Sequence, residues 1–138
     1  MARIVLTNAY VTINAVNLSD HITSVTLTTM DDVVETTAFG STARTRIGGL
    51  GDNSVAIEFQ QDYAASSVEA TINGSPTLVG TTTAIVVKPN GSTTAADNPA
   101  YSFTALVSEW TPLVGTVGEL ATASVTWPIS GEVTKAVS

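Results

Sequence analysis

The sequence has no cysteine and a single histidine, and both shortages exclude classes of site. Without cysteine there is no disulfide framework, no thiol nucleophile and no cysteine metal site. With one histidine there is no site that needs two histidine ligands. We interpret His21, which follows Asp20, as a structural or surface residue that can be replaced. No catalytic residue, metal site or cofactor is therefore expected.

Charged residues are also scarce, at 12% of the chain, and the net charge is −7. Only five residues are cationic, so the sequence lacks the basic clusters with which proteins bind phosphates. This excludes a nucleic-acid reader, although DNA could pass such a protein without binding. With 43% hydrophobic residues, the low charge favours a surface that other subunits cover. A secreted all-β module could have the same profile.

The sequence contains no hydrophobic run long enough for a signal-peptide core or a membrane span. We therefore expect no membrane partner, and either retention in the cytoplasm or release by a route other than secretion. A chain of 138 residues suits one domain with a substantial core. Because no linker or internal repeat is evident, we predict a single domain over residues 1–138.

What the sequence does contain is alternation between apolar and hydroxyl side chains, clearest over residues 120–127. One face carries Ala121, Ala123, Val125 and Trp127, and the other carries Leu120, Thr122, Ser124 and Thr126. A period of two predicts a strand with two different faces, as in antiparallel sheets. The predicted fold is mainly β, with strands at residues 4–7, 10–13, 23–29, 33–38, 54–60, 82–88, 101–110, 121–129 and 132–136.

Residues 62–73 interrupt the strand pattern and predict a short helix. Val68 and Ile72 are near helical spacing with Tyr63, Asp62 is a candidate N-cap, and an Asn-Gly pair at 73 and 74 is a plausible helix end. We expect this helix to lie against the sheets.

Residues 39–52 form a glycine-rich stretch that holds Arg44 and Arg46, two of the five cations. A long loop in a compact domain is usually functional or disordered. Two interpretations are open at this point. One is a mobile, solvated hairpin loop, and the other is an arm whose arginines pair with carboxylates of another subunit.

Several short patterns, in this order, resemble the major tail proteins of long, non-contractile-tailed bacteriophages. They are ETTAFG at 35–40, SVAIEFQQD at 54–62, EWTP at 109–112, GELAT at 118–122 and VTWP at 125–128. The resemblance implies an antiparallel β-sandwich or half-barrel with one flanking helix. It also implies hexameric rings, whose inner strands close into a barrel across subunits and which stack into a hollow tail tube.

The resemblance further implies roles for two sets of residues. Contacts between rings would come from Phe39, Gly40, Arg44, Arg46, Ile47, Leu50 and Asp52. The polar side of the long strands would face the channel or a neighbour rather than the core, unless a one-residue register error exchanges the two faces. The candidates for that side are Glu58, Gln60, Thr104, Ser108, Thr122, Ser124 and Thr126.

The partners implied are further copies of the chain, other tail proteins at the tube ends, and DNA that passes without specific binding. The location implied is the virion tail, assembled in the host cytoplasm. A capsid decoration protein, or another virion surface protein, is the alternative, because such proteins are also small, β-rich and free of cysteine.

Overall fold

The computed structural model describes residues 3, 5–74 and 77–138, and it consists mainly of antiparallel β-strands. Ile4, where the first strand was predicted to begin, lies outside the described residues, and residues 5–7 form no strand. The elements are β1 (Tyr10–Ile13), β2 (Val16–Asn17), a 3-10 turn (Ser19–His21), β3 (Ile22–Thr28), β4 (Asp31–Glu35), β5 (Arg46–Gly51), β6 (Ser54–Gln60), α1 (Val68–Ile72), β7 (Thr82–Lys88), β8 (Ala100–Leu106), β9 (Thr122–Pro128) and β10 (Thr134–Ala136).

The strands form a five-stranded sheet, a three-stranded sheet and a two-stranded ribbon. The order is β10-β8-β7-β1-β2 in the first and β3-β6-β9 in the second, and β4 pairs with β5 in the ribbon. Neighbouring strands in all three are antiparallel. The prediction of a mainly β, antiparallel fold with one short helix is confirmed. Within the described residues, no helix is long and apolar enough to cross a membrane.

The core lies between the two sheets and follows the predicted alternation. Along β9, Val125 and Trp127 are buried while Ser124 and Thr126 are exposed. Strand β6 alternates in the same way, with buried Phe59 among its core residues. The Phe59 and Trp127 ring centroids are 6.2 Å apart, and the Trp127 indole N–H donates to the Glu109 carbonyl at 2.8 Å. This buried aromatic contact joins adjacent strands of the three-stranded sheet.

Helix α1 is shorter than predicted, because it covers Val68–Ile72 rather than residues 62–73. Ser66 has a φ of 62°, a left-handed conformation that cannot continue a helix. The Asp62 carboxylate does not cap the helix and instead accepts the backbone N–H of Ala64 at 2.9 Å, which closes a turn. The two apolar ends of the helix, residues 68 and 72, are buried as expected.

Strand β2 was absent from the sequence prediction and exists because of a tight turn. Ile13 pairs with Val16, so the turn consists of two residues. Both have positive φ, 52° at Asn14 and 65° at Ala15. This is the geometry of a primed hairpin turn, which asparagine tolerates better than alanine does.

Candidate functional site

The most distinctive surface is a β-ribbon that projects beyond the three-stranded sheet, here called the arm (residues 31–51). Strands β3 and β6 pair as far as Thr28 opposite Ser54, and β4 and β5 continue the same hairpin outward. Every side chain of the arm is exposed. The structure therefore corrects the loop predicted at residues 39–52, since Arg46–Gly51 is a strand.

Hydrogen bonds and a glycine shape the outer part of the arm. At its end, the Thr36 N–H donates to the Thr45 carbonyl at 2.8 Å, and the two hydroxyls are also 2.8 Å apart. A Cβ on Gly49 would lie only 3.0 Å from Val34 Cγ2, so the strands approach closely because position 49 has no side chain. Gly40, at the tip, has a φ of 87°. The ribbon thus has a defined shape even though it packs on no core.

Asn53 anchors the base of the arm to the sandwich. Its side-chain oxygen accepts the Met30 N–H at 3.2 Å, and its side-chain N–H donates to the Gly131 carbonyl at 3.3 Å. The Asp52 N–H donates to the Met30 carbonyl at 2.7 Å, and the Ile129 N–H to the Asn53 carbonyl at 2.9 Å. Asn53 is buried, so water does not compete for these hydrogen bonds. They fix the base of the arm to the sandwich.

The arm carries apolar side chains that no core of this chain covers. They are Val33, Val34, Phe39, Ile47 and Leu50, and all of them are exposed. Five exposed apolar side chains on so short a ribbon favour a site of association, although Val33 and Val34 lie on opposite faces of it. Three of these residues, at positions 39, 47 and 50, are among those predicted to contact another subunit, and the structure leaves them available for such a contact.

The two arm arginines have acidic neighbours within the same chain. Arg44 Nη1 lies 3.4 Å from Glu35 Oε1, with both side chains exposed, and Arg46 is opposite Glu35 in the strand register. Exposed pairs of this kind contribute little to stability. Pairing of Arg44 and Arg46 with carboxylates of another subunit stays a prediction.

The outer face of the three-stranded sheet is rich in hydroxyl groups and is called here the hydroxyl face. The strand register places on it Ser24, Thr26, Thr28, Ser54, Ala56, Glu58, Gln60, Thr122, Ser124 and Thr126. Glu58 is the one acid among these residues, and its carboxylate accepts hydroxyl hydrogen bonds from Thr23 at 3.1 Å and Ser124 at 3.4 Å. Five of the predicted channel-facing residues are thus brought together on one surface outside the core.

The remaining two candidates lie elsewhere. Thr104 is exposed on β8, in the five-stranded sheet, and Ser108 follows the end of that strand. Alternation correctly separates inner from outer side chains, but it carries no information about which sheet a strand joins. The single polar side predicted from the sequence is therefore divided between two sheets.

His21 lies between two carboxylates, an arrangement that was not predicted from the sequence. Its Nδ1 is 2.8 Å from Asp20 Oδ1, and its Nε2 is 2.8 Å from Asp62 Oδ2. Ionised carboxylates only accept hydrogen bonds, so satisfying both contacts requires a proton on each ring nitrogen, as in imidazolium. The bridge ties the turn before β3 to the segment before α1, whose separation in sequence hid it.

Charge and hydrogen bonding shift the pKa of both members of this bridge. Burial lowers the pKa of His21, but the hydrogen bonds and charges of Asp20 and Asp62 outweigh it, so the net effect raises the pKa above its usual 6.5. The pKa of Asp62 is lowered, first by hydrogen bonds from the Ala64 N–H and the Ser67 side chain and then by His21. The arrangement is that of a structural ion pair. Among the described residues, no group of three or more acids and histidines could hold a metal ion.

A second exposed apolar surface, also missed, is the loop before β9, here called the distal loop (residues 112–121). Its apolar side chains Leu113, Val114, Val117 and Leu120 are exposed. The Pro112 carbonyl accepts hydrogen bonds from the Gln61 side chain at 2.7 Å and from the Tyr63 hydroxyl. The loop is therefore fixed to the end of β6 opposite the arm.

A groove of about 720 Å³ runs beside β3, between that strand and the segment that precedes β1. Its lining includes Thr7, Asn17, Ser19, Asp20, Thr23 and Ser24. Strands β3 and β9 are the two edge strands of the three-stranded sheet. Exposed strand edges pair readily with further strands.

The fold is similar to that of chains in three solved particles. A chain of the virion of a native gene transfer agent particle aligns with a TM-score of 0.69 over 94% of this chain and 96% of that chain, at 11% identity. A chain in the tail of an empty gene transfer agent particle with C6 symmetry gives 0.58, 83% and 81% coverage, and 15% identity. A chain of the 6-fold symmetrised baseplate of the anti-feeding prophage gives 0.56, 99% and 98% coverage, and 8% identity.

No protein-family model and no curated protein matches the sequence. At identities this low, the structural likeness establishes a shared fold. It spans nearly the whole chain for the first and third particles.

Proposed function

We propose that this chain is the subunit of a phage-like tail tube, and that rings of it stack into a hollow conduit for DNA. The observation that carries the proposal is the fold shared with tail and baseplate particles over most of the chain. The projecting apolar arm supports it, because a solitary monomer gains nothing from exposing such a surface. The six-fold symmetry of two of those particles favours rings of six.

In this proposal the hydroxyl face lines the channel, and neighbouring subunits join through the edges of the three-stranded sheet. Pairing β3 of one copy with β9 of the next would remove both edges and close a barrel. In the single chain, the Glu109 carboxylate accepts the backbone N–H of Thr126 on β9 at 3.2 Å. That side chain would turn away when a neighbouring strand pairs there.

A wall of hydroxyls with few cations suits the passage of DNA. The five described hydroxyl-face candidates are threonine, serine, glutamine and glutamate, which offer no positive charge to phosphates. A cationic wall would hold the DNA. Lysine or arginine side chains that neutralise phosphates release counterions from the DNA, and this release favours tight binding. The proposed role is passive and non-enzymatic. We expect negligible binding of duplex DNA at physiological ionic strength, and submicromolar affinity in an anisotropy titration would contradict the passive role.

The arm would supply contacts between stacked rings, through Phe39, Gly40, Arg44, Arg46, Ile47, Leu50 and Asp52. As a tail component assembled in a host cytoplasm, the chain would meet copies of itself and, at the tube ends, other tail proteins. We treat residues 1–138 as one tail-tube domain.

Negative-stain electron microscopy of the purified protein tests the proposal. We expect long hollow rods, with six-fold symmetry in end-on views. A capsid decoration protein would instead remain a monomer or trimer and would attach to capsids. Purified protein that forms only such small particles, over a range of concentration and salt, would contradict the tube.

A further inference from the structure

The two exposed apolar surfaces lie at opposite ends of the same sheet. The arm continues from the Ser54 end of β6, whereas the distal loop leads into β9 beside Gln60, at the other end of β6. The Gln61 N–H donates to the Ala121 carbonyl at 3.0 Å, which fixes the loop there. Seven strand residues separate the two surfaces, or about 20 Å.

The charges at the two ends are opposite in sign. The outer part of the arm, residues 35–47, contains Arg44, Arg46 and one acid, Glu35, which pairs with Arg44, so its net charge is +1. At the end of the sheet that holds the distal loop, Glu119 lies in the loop and the exposed Asp20 and the half-buried Asp62 flank His21, so acids outnumber the one imidazolium there. An apolar surface with a basic border at one end thus matches an apolar surface with an acidic border at the other.

We propose that the distal loop of one copy receives the outer arm of the next copy along the tube. Phe39, at the arm tip, would pack among the apolar side chains of the distal loop. Arg44 and Arg46 would lie beside Glu119 and Asp20 of the receiving copy. This rests on the proposed function, since it identifies the partner surface for an arm that reaches the next ring.

The placement of the surfaces decides the kind of assembly that follows. A contact between two different surfaces is heterologous. Unless the rotation between neighbouring copies closes a ring, such a contact adds copies without limit. Contact between two arm tips would be symmetric and would stop at a dimer. The arm and the distal loop lie at opposite ends of β6. Each added copy therefore uses one of these surfaces and leaves the other free for the next copy.

Crosslinking tests the contact without background, because the chain has no cysteine. A chain with Phe39→Cys and Val117→Cys, assembled and treated with a bis-maleimide, should give a ladder beyond the dimer on a denaturing gel. The matched control combines Phe39→Cys with Thr104→Cys, whose second site is exposed on the other sheet, and should give no ladder. Phe39→Cys alone should remain monomeric on the gel, and a dimer there would show tip-to-tip contact and overturn the inference.

Microscopy of the same samples separates the two proposals. Normal rods without a ladder from the 39/117 pair would refute the receiving loop and leave the tube intact. Absence of rods in the unmodified protein would refute the tube and this contact together.

If the cysteine pair itself prevents rods, exchange of charge reports on the contact. Arg44→Glu with Arg46→Glu should abolish rods, and adding Asp20→Lys with Glu119→Lys should restore them. Failure of this rescue, in chains that stay folded by circular dichroism, would also overturn the inference.

Discussion

The sandwich and the arm are built from the same strand type but are stabilised in different ways. In the sandwich, one side of β6 and one side of β9 are buried, so the packing of side chains limits which residues fit there. In the arm every side chain is exposed, and backbone pairing, the end hydrogen bonds and Asn53 maintain the shape. The difference indicates that sandwich residues serve stability, whereas the apolar and basic residues of the arm are available for association.

The largest expected effect on stability is in the sandwich. Trp127 is fully buried and contacts Phe59, so Trp127→Ala should lower the free energy of unfolding by about 3–5 kcal/mol. The matched change in the arm, Phe39→Ala, removes a fully exposed ring and should alter stability by less than about 0.5 kcal/mol. Urea denaturation followed by tryptophan fluorescence or circular dichroism measures both. Equal losses would show that the arm is part of the folding core.

The junction between the two regions should show an intermediate effect. Asn53→Ala removes both side-chain hydrogen bonds to Met30 and Gly131 and leaves buried groups without partners, at a cost of about 1–3 kcal/mol. Limited trypsin digestion reads out the arm directly, because Arg44 and Arg46 lie on it. We expect faster cleavage there in the variant. Asn53→Asp keeps an acceptor for the Met30 N–H, so its cleavage rate should fall between those of the natural protein and Asn53→Ala. An unchanged cleavage rate in Asn53→Ala would argue against Asn53 as the anchor.

The effect of His21 on stability is small and depends on pH. A raised folded-state pKa means that the stabilisation is complete below the usual value of 6.5 and is lost as pH rises through the folded-state pKa. Asp62, with its lowered pKa, contributes above its usual 3.8 and loses that contribution as pH falls through its folded-state pKa. The bridge is therefore strongest between these two limits.

Comparison of the natural protein with His21→Gln isolates the effect. The difference in their free energies of unfolding should be greatest near pH 5 to 6 and should shrink toward pH 8 or above, and it should stay below about 1 kcal/mol because the pair is partly exposed. A constant difference from pH 5 to 9 would exclude an ion pair at this position. Assembly should survive the substitution, because the bridge belongs to the folded subunit and not to the arm.

Much of the fold was predictable because alternation reflects burial directly. The predicted bounds of β1, β6 and β7 agree with the structure, and in all three one side of the strand meets the core. Strand β5 was missed since the sequence RIGGLG contains three glycines and packs on no core, so neither composition nor burial identifies it. It forms because β4 lies opposite.

The sequence allowed several residues of the candidate site to be identified, but not how those residues are arranged in space. The rarity of cations drew attention to Arg44 and Arg46, and alternation identified the residues of the hydroxyl face. The assignment of Thr104 to a different sheet, the link between His21 and Asp62, and the distal loop all depend on which distant segments become neighbours. A local pattern in one sequence does not carry that information.

If the arm serves assembly and the sandwich serves folding, a change confined to the arm should block rods without unfolding the subunit. Arg44→Glu with Arg46→Glu reverses both outer-arm charges without touching a buried residue. The variant and the natural protein are compared by circular dichroism and by negative-stain microscopy in physiological salt. We expect an unchanged spectrum, with hollow rods from the natural protein and none from the variant. Normal rods from a folded variant would contradict this role of the arm.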